Sequence, residues 1–183
     1  ITPTVVKVNS NKSNGSYGVN DTIPINIFFN QTITVTGNPQ LILETGITDG
    51  IASYASGTGS KQLVFNYIIS QGENSDDLDY TSTSALILNS GTIKDSSANA
   101  ATLTLVSPSN TNSLSANKDL VVDTNGPTIL SVSSTTADGA YNANDTIVVA
   151  VTFSDNVFVS GTPILLLETG EIDAVIDISE YLK

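Results

Sequence analysis

At 183 residues the chain is long enough for one or two small domains, and at 39% hydrophobic residues it carries enough apolar material for a core. It has no Cys, His, Met, Trp or Arg, so disulfide staples, the usual general bases and nucleophiles, and the soft transition-metal ligands are all missing. Its net charge of −12, from 18 acidic residues against six lysines, repels phosphate backbones and anionic headgroups but attracts divalent cations, which excludes nucleic acid and membrane surfaces as partners.

Pro3 to Val8 reads as a first strand, followed by a polar loop, Asn9 to Asn20. Asn20 to Phe29, NDTIPINIFF, alternates apolar residues at Ile23, Ile25, Ile27 and Phe29. Period two is the mark of a strand with one face buried. Pro24 falls on its outward face, which predicts an edge position or a bulge there. Short strands are predicted at Ile33–Thr36 and Gln40–Glu44, separated by the turn TGNP. Ile51–Ala55 and Gln62–Ile69 flank the turn SGTGS and predict a hairpin, with Leu63, Phe65 and Tyr67 on one face. Further strands are predicted at Leu78–Tyr80, Ala85–Leu88, Thr92–Lys94, Ala101–Val106 and Leu120–Val122. Nowhere do apolar residues recur at helical spacing for two turns, and no apolar run approaches the roughly 20 residues of a membrane span.

The pattern then restarts. Pro3 corresponds to Pro127, an offset of 124, and the same offset carries Ser10 to Ser134, Tyr17 to Tyr141, Asn20–Ile23 to Asn144–Ile147, Phe29 to Phe153 and the ETG of 44–46 to that of 168–170. A gapless register that includes turn residues identifies a duplicated module. The expected architecture is all-β: an antiparallel β-sandwich at residues 1–124 and the N-terminal half of a second at 125–183, joined by the short linker TNGP. Only 59 residues follow the break at 124. They lack counterparts of the first module's later strands, so the apolar face of Ile147, Val149, Val151, Phe153, Leu165 and Leu167 is expected to want a facing sheet. Either the natural chain continues past Lys183 or another chain completes the sheet by strand donation. With no initiator Met and no signal-like start, the chain is expected to be a processed or excised piece.

The motifs YGVNDTI, VTGNPQLILETG, DLDYTST, GTIKDSSANAATLTL and VVDTNGPT occur in that order. On them the chain resembles the Ig-like tandem repeats of large bacterial secreted and cell-surface proteins, including the SWM-type repeats, over residues 1–124 and the start of the next copy. The resemblance implies an Ig-like sandwich in an extracellular, bacterial cell-surface protein, used without enzymatic activity as a stalk, spacer or adhesive module. Its partners would be neighbouring repeats or copies of itself. Residues 171–183 depart from the pattern of the first copy, and the second copy stops halfway.

The candidate ligand residues are acidic. Asp77 and Asp79, two apart, would share a face on a strand and repel unless a cation lay between them. Asp123, the Asn125 carbonyl and Asp145 offer further hard oxygens, which suit Ca²⁺ at the junction between modules. Asp21 and Asp145 equally fit turn caps that accept backbone N–H bonds, and Asp95 in KDSSANA fits a turn. Sequons at Asn11, Asn14, Asn20, Asn30 and Asn144 follow from the Asn/Ser/Thr-rich composition. A rival reading is a module that binds a glycan or host ligand through the loops at Asn9–Asn20 and Ser70–Asp76. Most aromatic residues, however, fall on inward positions, and Phe28 alone points outward.

Overall fold

The computed structural model describes residues 2–177 of the chain. It is nearly all β and falls into two compact units, Ile1–Asn125 and Gly126–Lys183. In unit 1 the strands are β1 (Val5–Ser10), β2 (Gly15–Tyr17), β3 (Thr22–Thr36), β4 (Gln40–Leu43), β5 (Gly50–Ser56), β6 (Ser60–Ile68), β7 (Leu86–Ile87), β8 (Thr92–Lys94) and β9 (Leu120–Val122). Seven of them form one curled antiparallel sheet in the order β1-β3-β6-β5-β4-β7, with β8 paired to the far half of β3. β2 and β9 make a separate parallel pair.

The alternating stretch is the start of β3, and it sits where its pattern demands. Ile23, Ile25 and Ile27 are fully buried, as are Leu63, Phe65 and Tyr67 opposite them on β6. β3 runs on through the expected Ile33–Thr36 strand as one element, with its register broken between Phe28 and Ile33. That break lets one strand serve both β6 and β8, and it curls the sheet. Pro24 lies just beyond Ser10, where β1 stops. Its carbonyl accepts from Ser10 Oγ at 2.6 Å, so the missing N–H faces the same unpaired flank and no ladder bond is lost.

Two expected strands are absent. Leu78–Tyr80 and Ala101–Val106 make only isolated bridges, Tyr80 with Leu43 and Thr102 with Thr4, and scattered backbone bonds such as Leu78 N–H to Leu120 O and Leu105 N–H to Thr83 O, and no ladder. Their apolar residues still enter the core: Leu78, Tyr80 and Leu105 join the cluster built by the sheet. Two elements were not anticipated. β2 lies in the polar loop and is held by its pairing with β9. α1 (Leu114–Asn117) is a single turn, capped by Ser113 Oγ accepting from Ala116 N–H at 3.2 Å, and it buries Leu114.

Unit 2 repeats the first half of unit 1 in detail. β10 (Ile129–Ser134) pairs β11 (Val149–Phe153) in the register of β1 with β3, each partner shifted by 124, including the irregularity after the first pair. β12 (Ile164–Leu167) pairs β13 (Ala174–Asp177) as β4 pairs β5. The side-chain bonds recur as well. Ser134 Oγ donates to Val148 O as Ser10 does to Pro24, and Tyr141 OH donates to Ala137 O as Tyr17 does to Ser13. Asn20 and Asn144 share a left-handed backbone, φ 70° and 76°. The packing does not recur. None of residues 126–176 is buried, and Ile147, the counterpart of fully buried Ile23, is 50% exposed.

Two outcomes follow for stability. Ile25→Ala should cost about 2–5 kcal/mol in denaturant unfolding, whereas Val149→Ala at the matching position should stay within about 0.5 kcal/mol. Comparable losses at both sites would mean that unit 2 has a core of its own. Asn26 is 1% exposed on β3 with both side-chain polar atoms unpaired, and the second copy carries Ala150 there. An unsatisfied buried amide costs about 1–3 kcal/mol, so Asn26→Ala should be neutral or stabilising. A loss above about 2 kcal/mol would show that the amide has a partner.

Candidate functional site

The acidic residues singled out above meet different fates. Asp77 and Asp79 do not share a strand face, because the segment is a bend rather than a strand. Asp77 stays exposed, while Asp79 turns inward to 6% exposure. Asp79 Oδ1 accepts from Tyr80 N–H at 2.9 Å, and Oδ2 accepts from Ser109 N–H at 3.0 Å and Ser115 Oγ at 2.7 Å. The carboxylate is thus held by three protein donors, of which Ser109 and Ser115 tie the 77–80 segment to the loop before α1 and to α1 itself. Partial desolvation of the carboxyl, then the neighbouring Asp119 and Asp79 charges, push the Asp77 carboxyl above the usual carboxylate range, against a backbone hydrogen bond from Leu120.

Asp123 accepts from Asn125 N–H at 2.9 Å, a side-chain turn at the end of unit 1. Asp145, in unit 2, accepts from Asn142 N–H at 2.7 Å, as Asp21 does from Gly18 N–H at 3.0 Å. Both are caps at the start of the repeated strand. Asp95 likewise holds its own turn, accepting from Ser97 N–H, Asn99 N–H and Asn99 Nδ2 at 2.9 Å each. No three acidic side chains come together into a metal-holding group among the described residues. Asp79 is occupied by protein donors, which leaves Asp77 as the exposed carboxylate of that pair.

The residues that do converge were missed by sequence reasoning, and they lie at the C-terminal end of unit 1. Asn74 Oδ1 accepts from Thr124 N–H at 2.9 Å, from Thr124 Oγ1 at 3.4 Å and from Asn125 Nδ2 at 3.1 Å. Thr124 O in turn accepts from Gln71 Nε2, and its hydroxyl accepts from Gly72 N–H. Thr124 and Asn125, in the stretch read above as linker, are therefore knitted into unit 1, which runs to Asn125. Nothing in the isolated letters of Asn74 or Thr124 marks them, since the partners lie about 50 residues apart.

The loop at Ser70–Asp76 is consequently anchored rather than free. Glu73 is 7% exposed and accepts from Tyr67 OH at 2.8 Å and Ser70 N–H at 2.7 Å. Burial, then the bond to Glu73 and its charge, raise the Tyr67 hydroxyl well above its ordinary value. A Cβ at Gly50 would lie 2.8 Å from the Tyr67 ring, so Gly50 is the residue that lets this ring in. In the Asn9–Asn20 loop the Lys12 ammonium sits 4.7 Å over the Tyr17 ring. Phe28 is half-buried.

Each unit carries a depression. One in unit 1, about 360 Å³, is polar and shallow and is lined by Thr34, Thr36, Thr92, Lys94 and Asp95 among others. The other, about 370 Å³ in unit 2, is apolar and is lined by Ile147, Val149, Val151, Phe153 and Ile176 together with neighbouring residues. No helix among the described residues is long and apolar enough to cross a membrane. Comparison of the chain with family models, with curated proteins and with solved structures finds no match.

Asn74→Ala should cost about 1–3 kcal/mol and release hydrogen-exchange protection at the Thr124 amide. Retained protection there would show that the end of unit 1 is held by other contacts. The Asp77 shift sets a sign. A carboxyl raised in the fold contributes stability below the ordinary carboxylate pKa of about 4, and that contribution is lost as pH rises through the raised value. Asp77→Asn should therefore stabilise at neutral pH, with the gain fading in acid. A gain that persists at pH about 3 would assign it to something other than charge.

Proposed function

We propose that the chain is a non-enzymatic structural repeat: an Ig-like β-sandwich module from a bacterial extracellular surface protein, acting as an extender or adhesive building block. The observation that carries this reading is the duplication itself. Turns, bulges and capping side chains are rebuilt at the same offset in a second copy, which is the economy of an array rather than of a catalyst. The anchoring of Thr124 and Asn125 supports it, because a module that transmits position to its neighbour needs a firmly held exit. The acidic surface, −12 overall, suits a solvated outer face.

Divalent cations belong to this reading at Asp77, whose carboxyl is crowded by Asp119 and Asp79. Millimolar Ca²⁺ should raise the melting temperature of residues 1–125 and EDTA should reverse it. Superimposable curves would remove calcium from the proposal. The extender role is tested by joining residues 1–125 in tandem arrays of increasing length. Small-angle scattering should show a maximum dimension that grows in proportion to copy number. Arrays that compact into globules would sink the role.

A further inference from the structure

The chain holds two Asn-Gly steps, Asn14–Gly15 and Asn125–Gly126. At such a step the glycine nitrogen can close on the side-chain amide carbon of the asparagine, because glycine has no Cβ to block the approach. Whether it does so depends on how the fold holds the glycine N–H. At Asn14–Gly15 the step is clamped. Gly15 opens β2 and its N–H donates to Asp119 O at 3.1 Å, while Asn14 Oδ1 accepts from Asp119 N–H at 3.3 Å. Attack there would break into the ladder between β2 and β9. Asn125 and Gly126 are both exposed and lie outside any strand, and Gly126 N–H makes no hydrogen bond among the described residues. Asn125 is held by its N–H on Asp123 Oδ1 at 2.9 Å and by its Nδ2 on Asn74 Oδ1 at 3.1 Å. Neither bond engages the attacking nitrogen.

We propose that Asn125–Gly126 is a self-modifying step, at which the folded chain converts Asn125 to aspartate and isoaspartate and so releases the tie that Asn74 makes to it. Water is the only co-reactant, and nothing is oxidised or reduced. Gly126 N gives its proton to solvent and bonds to Asn125 Cγ; the Cγ–Nδ2 bond breaks, ammonia leaves, and a succinimide ring closes. Water then opens the ring. Breaking the new bond between nitrogen and Cγ leaves aspartate, whereas breaking the bond between nitrogen and the main-chain carbonyl leaves isoaspartate, with the chain routed through Cβ. The position gives the change a consequence. Asn125 Nδ2 shares Asn74 Oδ1 with Thr124 N–H at 2.9 Å and Thr124 Oγ1 at 3.4 Å. Conversion replaces that donor with a carboxylate oxygen, which cannot donate to Asn74 Oδ1. If Asn74 turns its own amide to answer the carboxylate, Thr124 N–H loses its acceptor. The new charge also stands two residues from Asp123, and like charges so placed repel. The end of unit 1 therefore loosens with the age of the molecule, without a bound ligand. The step rests on the chemistry of these residues and would stand if the extender role fell.

The test incubates the intact 183-residue chain in mildly alkaline buffer and maps its peptides by mass spectrometry over time. Asn125 should show first the loss of ammonia and then the amide-to-acid mass shift, with isoaspartate and aspartate both present, while Asn14 stays unconverted. In denaturant the two steps should convert at similar rates, because the clamp on Gly15 is gone. Gly126→Ala should slow conversion at Asn125 severalfold. Equal conversion of Asn14 and Asn125 in the folded chain, or conversion at Asn125 only after unfolding, overturns the proposal. The converted chain, separated by its added negative charge, should exchange the Thr124 amide faster than the unconverted chain. Asn125→Asp should reproduce that faster exchange from the start, which makes the release readable without waiting for conversion. A Thr124 amide equally protected in Asn125→Asp and in the parent chain overturns the release.

Discussion

The structure depends on β6. A curled antiparallel sheet is held by ladders on both sides of each inner strand, and β6 is the strand whose two ladders connect the β1-β3 half to the β5-β4 half. It also delivers Leu63, Phe65 and Tyr67 to the core, all fully buried. The two copies form a natural comparison. Where β6 is present, a core of 22 buried apolar residues closes around it. In the described part of the second copy, where no such strand is seen, the pairings, bulge and caps all form, yet none of residues 126–176 is buried. Local chemistry is enough to shape turns and pairs, and it takes the long-range strand to exclude water.

That division explains what could be read in advance. The alternation of β3 and β6 and the hairpin across SGTGS depend on residues near one another in the chain, and the 124-residue offset needs only the sequence set against itself, so each left a clear pattern. Leu78–Tyr80 and Ala101–Val106 misled because apolar alternation reports only that alternate side chains are buried. These segments bury theirs as loops that touch the strands through single bridges and extend no ladder. β2 was hidden by its composition: Gly, Ser and Tyr extend there because β9, more than 100 residues on, supplies the ladder.

The acidic residues show the same limit at the level of a site. A carboxylate in a short polar motif can ligate a cation or accept backbone N–H bonds, and the letters are identical. Asp21, Asp95 and Asp145 cap the turns in which they lie; local spacing suggested this for Asp95 and left it beside a metal reading for Asp145. Asp79 could not be resolved that way. Its donors come from Ser109 and Ser115, some 30 residues away, and they turn a supposed member of a surface pair into an internal tie. Asn74 is the neutral version of the same device.

The parallel pairing of β2 with β9 bears on mechanics. In a parallel pair the chain enters one strand and leaves the other at opposite ends. Gly15–Tyr17 and Leu120–Val122 stand in that relation near the two ends of unit 1. Tension carried along the chain through these strands would load their hydrogen bonds together, in shear, instead of peeling them apart singly as it would the end of a hairpin. A pulled array of such units would hold until the whole short ladder slipped at once.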